Sequence, residues 1–319
     1  MTSTDTRDES PSQPAGDGTF RRRDSIFREH VTADGSSGYR AEAGRYHLYV
    51  SYACPWAHRT IIYRKLKGLE DAISMTVVDP ERDERGWAVT NAPGTTSDPV
   101  NHFAFLSEAY VASNPDFDGR VTVPVLWDRE TGRIVNNESA EIIRMLEREF
   151  DAFAKHPERH YLPEAQRAGI DELNAFVYDN VNNGVYKTGF ARTQQAYEES
   201  FGHLFDALDE LDARLAGSRY LMGDAVTEAD WRLFPTLVRF DAVYVGHFKC
   251  NLRRIADYPQ LSGYLRDLYQ HPGIAPTVDL DQIKRHYYRT HPEINPTRIV
   301  PVGPALDLAA PHDRAALSA

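Results

Sequence analysis

Residues 46–59, Tyr46-His-Leu-Tyr-Val-Ser-Tyr-Ala-Cys54-Pro55-Trp56-Ala57-His58-Arg59, read as a short apolar strand that turns directly into a helix, with a cysteine at the junction. Pro55 suits the first helical position, where its missing N–H would have no partner in any case. Ile61, Ile62 and Leu66 then continue an apolar stripe at helical spacing. Cys54 therefore falls at a helix N-terminus, where unpaired backbone N–H groups and the positive end of the helix dipole favour an anion. A thiol so placed is expected to form its thiolate readily, and the thiolate is both the nucleophile and the reactive form in disulfide exchange. Ala57 stands where a two-cysteine redox motif would carry its second thiol. A mixed disulfide at Cys54 must then be resolved from outside, most simply by a second small thiol. The bland alternative is an inert, buried structural cysteine.

Working outward, Gly68 is a C-cap, and Ile73–Val78 is a second strand ending at Asp79-Pro80. Strand, helix and strand of these lengths form a βαβ unit with parallel strands. Residues 81–119 are a long polar insertion containing Gly86-Trp87 and a helix near His102 to Ala112, and insertions of this length inside a domain are usually functional. Val121–Trp127, a turn at Asp128–Gly132 and Arg133–Val135 read as a β-hairpin, and a helix from Glu138 to Phe150 follows. Pro124 is anomalous in an apolar strand, because it removes a ladder hydrogen bond and belongs at an edge, a bulge or a cis bond. The order strand, Cys-Pro-helix, strand, helix, Val-Pro-strand, strand, helix is that of the thioredoxin fold, in which a cis-proline lies beside the thiol. That leaves the backbone of Val123 free to pair with an extended peptide. A bulged edge strand is the alternative.

Before the strand, residues 1–18 have a disordered composition and residues 20–45 suit an arm laid over a domain. From Tyr161 onward the chain reads as helical, over Ala165–Asn182, Tyr197–Gly217, a segment opening near Thr227 and Leu261–His271. Thr227-Glu-Ala-Asp230 resembles a capping box with Asp in place of the usual Glu. The tail from Asp307 to Ala319 looks frayed. The expected division is a disordered start and arm over 1–45, an α/β thioredoxin-like domain over 46–155 and an all-α domain with its tail over 156–319.

The 319 residues suffice for two cores. Two cysteines cannot build a disulfide framework and suit a reducing, cytoplasmic setting. Cys250 reads as buried and structural. No run of eighteen apolar residues appears, so no membrane span is expected. The net charge of −11 argues against nucleic acid as partner. Arg21-Arg22-Arg23, the one tight basic cluster, reads as solvated or domain-contacting. The histidines show no metal-ligand spacing, so no metal is expected.

Several runs together resemble the Xi-class glutathione transferases, also called glutathionyl-hydroquinone reductases: Phe20-Arg-Arg-Arg with Ser25 and Phe27-Arg28, Cys54-Pro-Trp-Ala-His-Arg59, Gly68-Leu-Glu70 and Gly86-Trp87. Gly119–Asp128, Asn136–Ser139, Arg239–Tyr244 with His247–Cys250, His286–Tyr288, Ile294–Pro296 and Ile299–Pro301 extend the likeness from about residue 20 to 304. Tyr52 departs from it, an aliphatic residue being expected there. The resemblance implies reduction of glutathionyl-hydroquinones through a Cys54–glutathione mixed disulfide, with a second glutathione freeing Cys54 as oxidised glutathione leaves. It implies Tyr186 as proton donor, with Tyr244 and Tyr287 pointing hydroxyls at Cys54, and Tyr288 as a less favoured substitute for Tyr287. Glutathione would meet Trp87, the Val121-Thr122-Val123-Pro124 segment, and Glu138 with Ser139 at a helix start. A homodimer is expected, since symmetric dimers are the common oligomer. Two other functions share the fold: an Omega-like thioltransferase that needs Cys54 but not the tyrosines, and a ligand-binding protein with an idle cysteine.

Overall fold

The computed structural model describes residues 16–22 and 24–318. Two-residue strands β1 (Val31–Thr32) and β2 (Tyr39–Arg40) pair within the N-terminal arm. The thioredoxin-like layer then runs β3 (Tyr46–Val50), α1 (Pro55–Leu66), β4 (Ser74–Val77), α2 (Ser107–Ser113), β5 (Val125–Asp128), β6 (Arg133–Asn136) and α3 (Ser139–Arg148). Sheet order is β4-β3-β5-β6, with β3 parallel to β4 and antiparallel to β5, and β5 antiparallel to β6. The βαβ unit and the hairpin are both present, though Val121–Pro124 stand outside the ladder.

All five residues of β3 are buried, which requires cover on both faces of the sheet. On one side the insertion supplies it: Tyr49 and Trp127 pack edge-on, Phe103 meets both, and the Tyr49 hydroxyl donates to Asp98 at 3.0 Å. The insertion's helix begins at Ser107, later than its composition suggests. The Asp98 carboxylate accepts from the N–H groups of Val100, Asn101 and Phe103, and His102 adopts φ +57°, so a carboxylate-centred turn occupies the residues expected to start the helix.

Helix α1 is buried well beyond its apolar stripe, since His58, Arg59 and Thr60 are covered as well. One side meets α3 and the other meets the helical part of the chain. Each fully buried Ile or Leu contributes about 1.5–3 kcal/mol. Gly68 ends the helix with φ +65°, and a Cβ there would approach Lys155 Cβ to 2.7 Å, so glycine is required on both counts.

The helical part comprises α4 (Arg167–Val177), α5 (Gly184–Gly189), α6 (Gln194–Arg214), α7 (Glu228–Arg239), α8 (Leu261–Gln270) and α9 (Leu280–Thr290). Two π-helical turns, Tyr178–Asn182 and Phe240–Tyr244, extend α4 and α7. The capping box is present: Asp230 accepts from the Thr227 N–H at 2.7 Å, and its other oxygen accepts from Leu221 N–H and Tyr264 O–H. Glu228, buried at the start of α7, accepts from Arg144 of α3, Arg232 and Asn174. Removing one partner of such a buried charge costs about 3–5 kcal/mol.

Two expectations about the ends need correcting. The C-terminal tail is anchored rather than frayed, because Arg314 is 1% exposed and donates to the carbonyls of Leu215 (2.9 Å), Arg219 (2.9 Å) and Ser218 beyond the end of α6. Of the N-terminal stretch read as disordered, residues 1–15 lie outside the described residues, whereas Gly18 is tied down by the Arg192 N–H at 3.0 Å.

Candidate active site around Cys54

Cys54 is the N-cap of α1, with φ −81° and ψ 121°, and its carbonyl accepts the His58 N–H at 3.0 Å. It is half-buried, with Sγ 3.5 Å from the Val123 carbonyl; the Val123–Pro124 peptide is cis and lies beside it. The backbone before the cysteine is held from the far part of the chain. Arg239, fully buried at the end of α7, donates from Nη2 to the Tyr52 carbonyl at 2.7 Å and from Nε to the Ala53 carbonyl at 3.0 Å. Its Nη1 also donates to His58 Nδ1 at 3.0 Å, and the Thr277 hydroxyl, itself donating to Ile274, accepts from His58 Nε2 at 2.9 Å. Burial holds the His58 pKa well below its ordinary value, so the ring is neutral.

An open cavity of about 600 Å³, part of it bulk solvent, lies over Cys54 and is lined also by Trp56, Trp87, Val121, Thr122, Val123, Tyr186 and Tyr287. That size suits a small ligand. The Tyr186 and Tyr287 hydroxyls are 2.6 Å apart, and Tyr244 lies 3.0 Å behind Tyr287. Burial raises the pKa of Tyr186 and holds Tyr244 and Tyr287 well above the ordinary phenol value, so all three keep their protons. The expectation that Tyr244 points at the thiol needs correction: its ring is fully buried, outside the cavity wall, and its hydroxyl is engaged by Tyr287. Tyr288 is directed toward His247 and Gly246, which leaves Tyr287 as the one of the pair that faces the cavity.

Trp87 is 4% exposed and stacked on His286 at 5.2 Å, part of the wall rather than a loose cover. Its Nε1–H is buried and has no partner among the described residues. Thr122 lines the cavity, but its backbone is already bonded: its N–H donates to the Tyr110 hydroxyl, which donates back to its carbonyl at 2.8 Å. Val123, just ahead of β5, lies outside the sheet ladder. Glu138, Ser139 and Pro124 are not among the residues that line this cavity. Glu138 caps α3 by accepting the Ala140 N–H at 3.0 Å and also accepts the Ser25 hydroxyl at 3.1 Å, while the buried Ser139 hydroxyl accepts from Arg59 at 3.5 Å.

Cys250 is fully buried, and burial pushes its thiol pKa far up. The histidines beside the cavity are held neutral by burial, with His286 pushed down to about 3 and His247 to about 4. Among the described residues, no group of three or more His, Cys, Asp or Glu is placed to hold a metal ion.

Sequence reasoning had assigned no role to Ser25, Arg22, Arg120 or Arg239. Arg22 enters the cavity wall from the arm, donating to Asn183 Oδ1 at 2.9 Å and lying over Trp56 (4.6 Å) and Tyr186 (4.9 Å). All four fall within the runs that carried the resemblance, but nothing in the letters says which neighbours they meet.

Residues 53–149 match the family described as Glutathione S-transferase, N-terminal domain, and residues 194–267 its C-terminal domain. Glutathionyl-hydroquinone reductase YqjG of Escherichia coli is 53% identical over 93% of this chain and 92% of its own. Its glutathione-bound structure superposes with TM-score 0.89 at 54% identity, covering 91% of this chain and 96% of that one. Glutathionyl-hydroquinone reductase PcpF of Sphingobium chlorophenolicum is 53% identical over 91% of both chains. The crystal structure of the Xi glutathione transferase of Phanerochaete chrysosporium matches with TM-score 0.90 at 51% identity, over 94% of this chain and 97% of that one.

Proposed function

This chain belongs to the Xi class of glutathione transferases, the glutathionyl-hydroquinone reductases, and from that membership we propose how its own residues carry the reaction. The enzyme reduces glutathionyl-hydroquinones to hydroquinones with glutathione as co-substrate. In this reading the Cys54 thiolate attacks the sulfur of the conjugate, forming a Cys54–S–S–glutathione bond. The sulfur–aryl bond breaks, its electron pair goes to the ring carbon, and Tyr186 protonates that carbon. A second glutathione thiolate attacks the glutathionyl sulfur, and oxidised glutathione leaves with Cys54 restored. The net change consumes one conjugate and one glutathione and yields one hydroquinone and one oxidised glutathione.

The observation that carries this reading is the shared cavity. One thiol at a helix N-terminus faces two protonated, hydrogen-bonded phenols, and the other cysteine of the chain is buried in the core. Tyr287 holds the Tyr186 hydroxyl in place and can pass a proton back to it, with Tyr244 behind. Val123 backbone groups pair with the central residue of glutathione. Glu138 accepts its ammonium, and Ser139 with the α3 N-terminus takes its α-carboxylate, which requires the Ser25 and Glu138 contacts to open. Val121, Thr122, Pro124 and Trp87 complete the glutathione wall. The 46–155 segment thus serves glutathione and the 156–319 segment the quinol.

In the same reading the enzyme acts in the cytoplasm as a homodimer. Two unpaired cysteines suit a reducing compartment, and among the described residues no helix is long and apolar enough to cross a membrane. Ile299 and Val302, 68% and 98% exposed, offer apolar surface to a second copy.

Steady-state turnover of a panel of glutathionyl-hydroquinones by wild type and Cys54→Ser tests the mechanism. Wild type is expected to release hydroquinone and Cys54→Ser to fall to background. Equal rates would overturn it.

A further inference from the structure

The Cys54 cavity is walled by Arg22, Arg82 and Arg120 and, among the described residues, by no aspartate or glutamate. In a chain of formal charge −11 this is a local reversal of sign, and a cleft lined by one charge concentrates ligands of the other. Arg22 reaches the cavity from the N-terminal arm, oriented by Asn183 and by the faces of Trp56 and Tyr186. No carboxylate lies within 4.0 Å of Arg22 among the described residues.

The proposed reaction supplies two anions to these three cations. One is the attacking thiolate, and Arg120 is within electrostatic reach of both Cys54 and Tyr186. The other is the carboxylate at the glycine end of glutathione, for which Arg82, packed on Trp87, is the neighbour on the glutathione wall. The ammonium and α-carboxylate at the other end offset each other at Glu138 and Ser139. Arg22 is left over, and it lies against Tyr186, the group that must reach the ring carbon. A neutral ring closing over a half-buried guanidinium would strip its water without pairing its charge, which is unfavourable. An anionic substituent would instead form a charge-assisted, bidentate pair with it.

We propose that Arg22 makes this enzyme selective for glutathionyl-hydroquinones whose ring carries a negative charge, as a carboxylate or as a ring hydroxyl acidic enough to ionise. The selectivity rests on the reductase mechanism above and names the substrate class of that site.

The test compares kcat/KM for three conjugates differing in the ring: neutral, carboxylated, and bearing an acidified hydroxyl. Wild type, Arg22→Gln and Arg22→Lys are used, with thermal melting to confirm that each variant folds. In wild type the carboxylated conjugate is expected to exceed the neutral one by about tenfold or more. The acidified conjugate should gain the same advantage only above the pKa of its own hydroxyl. In Arg22→Gln the charged-to-neutral ratio should fall to about one, and Arg22→Lys should restore part of it. A wild-type ratio of one or less for both charged conjugates, or a ratio unchanged in Arg22→Gln, would overturn the assignment while leaving the reductase mechanism standing. No turnover of any conjugate by wild type would overturn both.

Discussion

The Tyr186 hydroxyl donates to or accepts from the Tyr287 hydroxyl at 2.6 Å, so one phenol of the cavity wall is held in orientation by a second that is itself fully buried. Burial keeps both protonated, so in the mechanism proposed above Tyr186 starts with its proton in place. General acid catalysis of this kind contributes about 10²–10⁴-fold. Tyr186→Phe should therefore lower hydroquinone release by roughly that factor while sparing glutathione-dependent reduction of a simple disulfide, whose leaving thiolate needs no proton on carbon. Parallel assays of the two reactions read this out. Equal loss of both would assign Tyr186 to packing.

Arg239 joins two halves of the site. Its guanidinium spans from α7 to the carbonyls of Tyr52 and Ala53 ahead of the thiol. Arg239→Met leaves buried acceptors without donors, and destabilisation by about 3 kcal/mol is expected from chemical denaturation. Because the same contacts aim Cys54, kcat should also fall by about tenfold or more in protein that is still folded. A stability loss with unchanged kcat would make Arg239 purely structural.

Gly189 ends α5 against Phe248, and an added Cβ would meet the Phe248 ring at 2.1 Å. Phe248 in turn stacks on Tyr244 at 5.5 Å with planes 11° apart. Gly189→Ala should destabilise by about 1–3 kcal/mol through overpacking and displace the tyrosine chain. Thermal melting together with the Tyr186-dependent reaction checks both parts.

These relationships mark where the letters stop being sufficient. The Cys54 turn could be read because strand, proline and helical stripe are adjacent in sequence, and the hairpin and the Thr227–Asp230 cap could be read for the same reason. The tyrosine chain could not be derived locally: Tyr186 sits on a six-residue helix and Tyr287 on α9, which no expectation had marked as a helix. Its apolar positions Leu280, Ile283 and Tyr287 are sparse among charges, and tertiary contacts decide it. Arg239, Arg314 and Arg59 are buried, against the ordinary preference of arginine for the surface, because each finds carbonyl or side-chain acceptors far away in the sequence. The helix expected from His102 begins only at Ser107 for a local reason, since Asp98 offers three N–H groups a nearer acceptor.

Glu147 of α3 gives the fold a pH dependence. Its buried carboxylate accepts the Tyr161 N–H at 2.6 Å and the Leu162 N–H at 3.3 Å, with Lys67 and Glu228 as its charged neighbours and the His160 ring 3.8 Å away. Burial pushes its pKa from 4.5 up to about 7. Between those values the folded chain holds a proton that the unfolded chain has lost, so stability falls as pH rises through the window, and the loss is complete above about 7. Glu147→Gln keeps the acceptor for Tyr161 and removes the titration. From pH 5 to pH 8 the variant should gain on the order of 2–3 kcal/mol relative to wild type in unfolding free energy. Parallel pH profiles would exclude the effect.

The most direct measurement is intact-protein and peptide mass spectrometry of wild type mixed with one equivalent of glutathionyl-hydroquinone in the absence of free glutathione and quenched with acid. One glutathione should appear on Cys54, hydroquinone should be released in the same amount, and added glutathione should clear the adduct as oxidised glutathione. Hydroquinone release with no glutathione ever found on Cys54 would contradict a mixed disulfide at that residue.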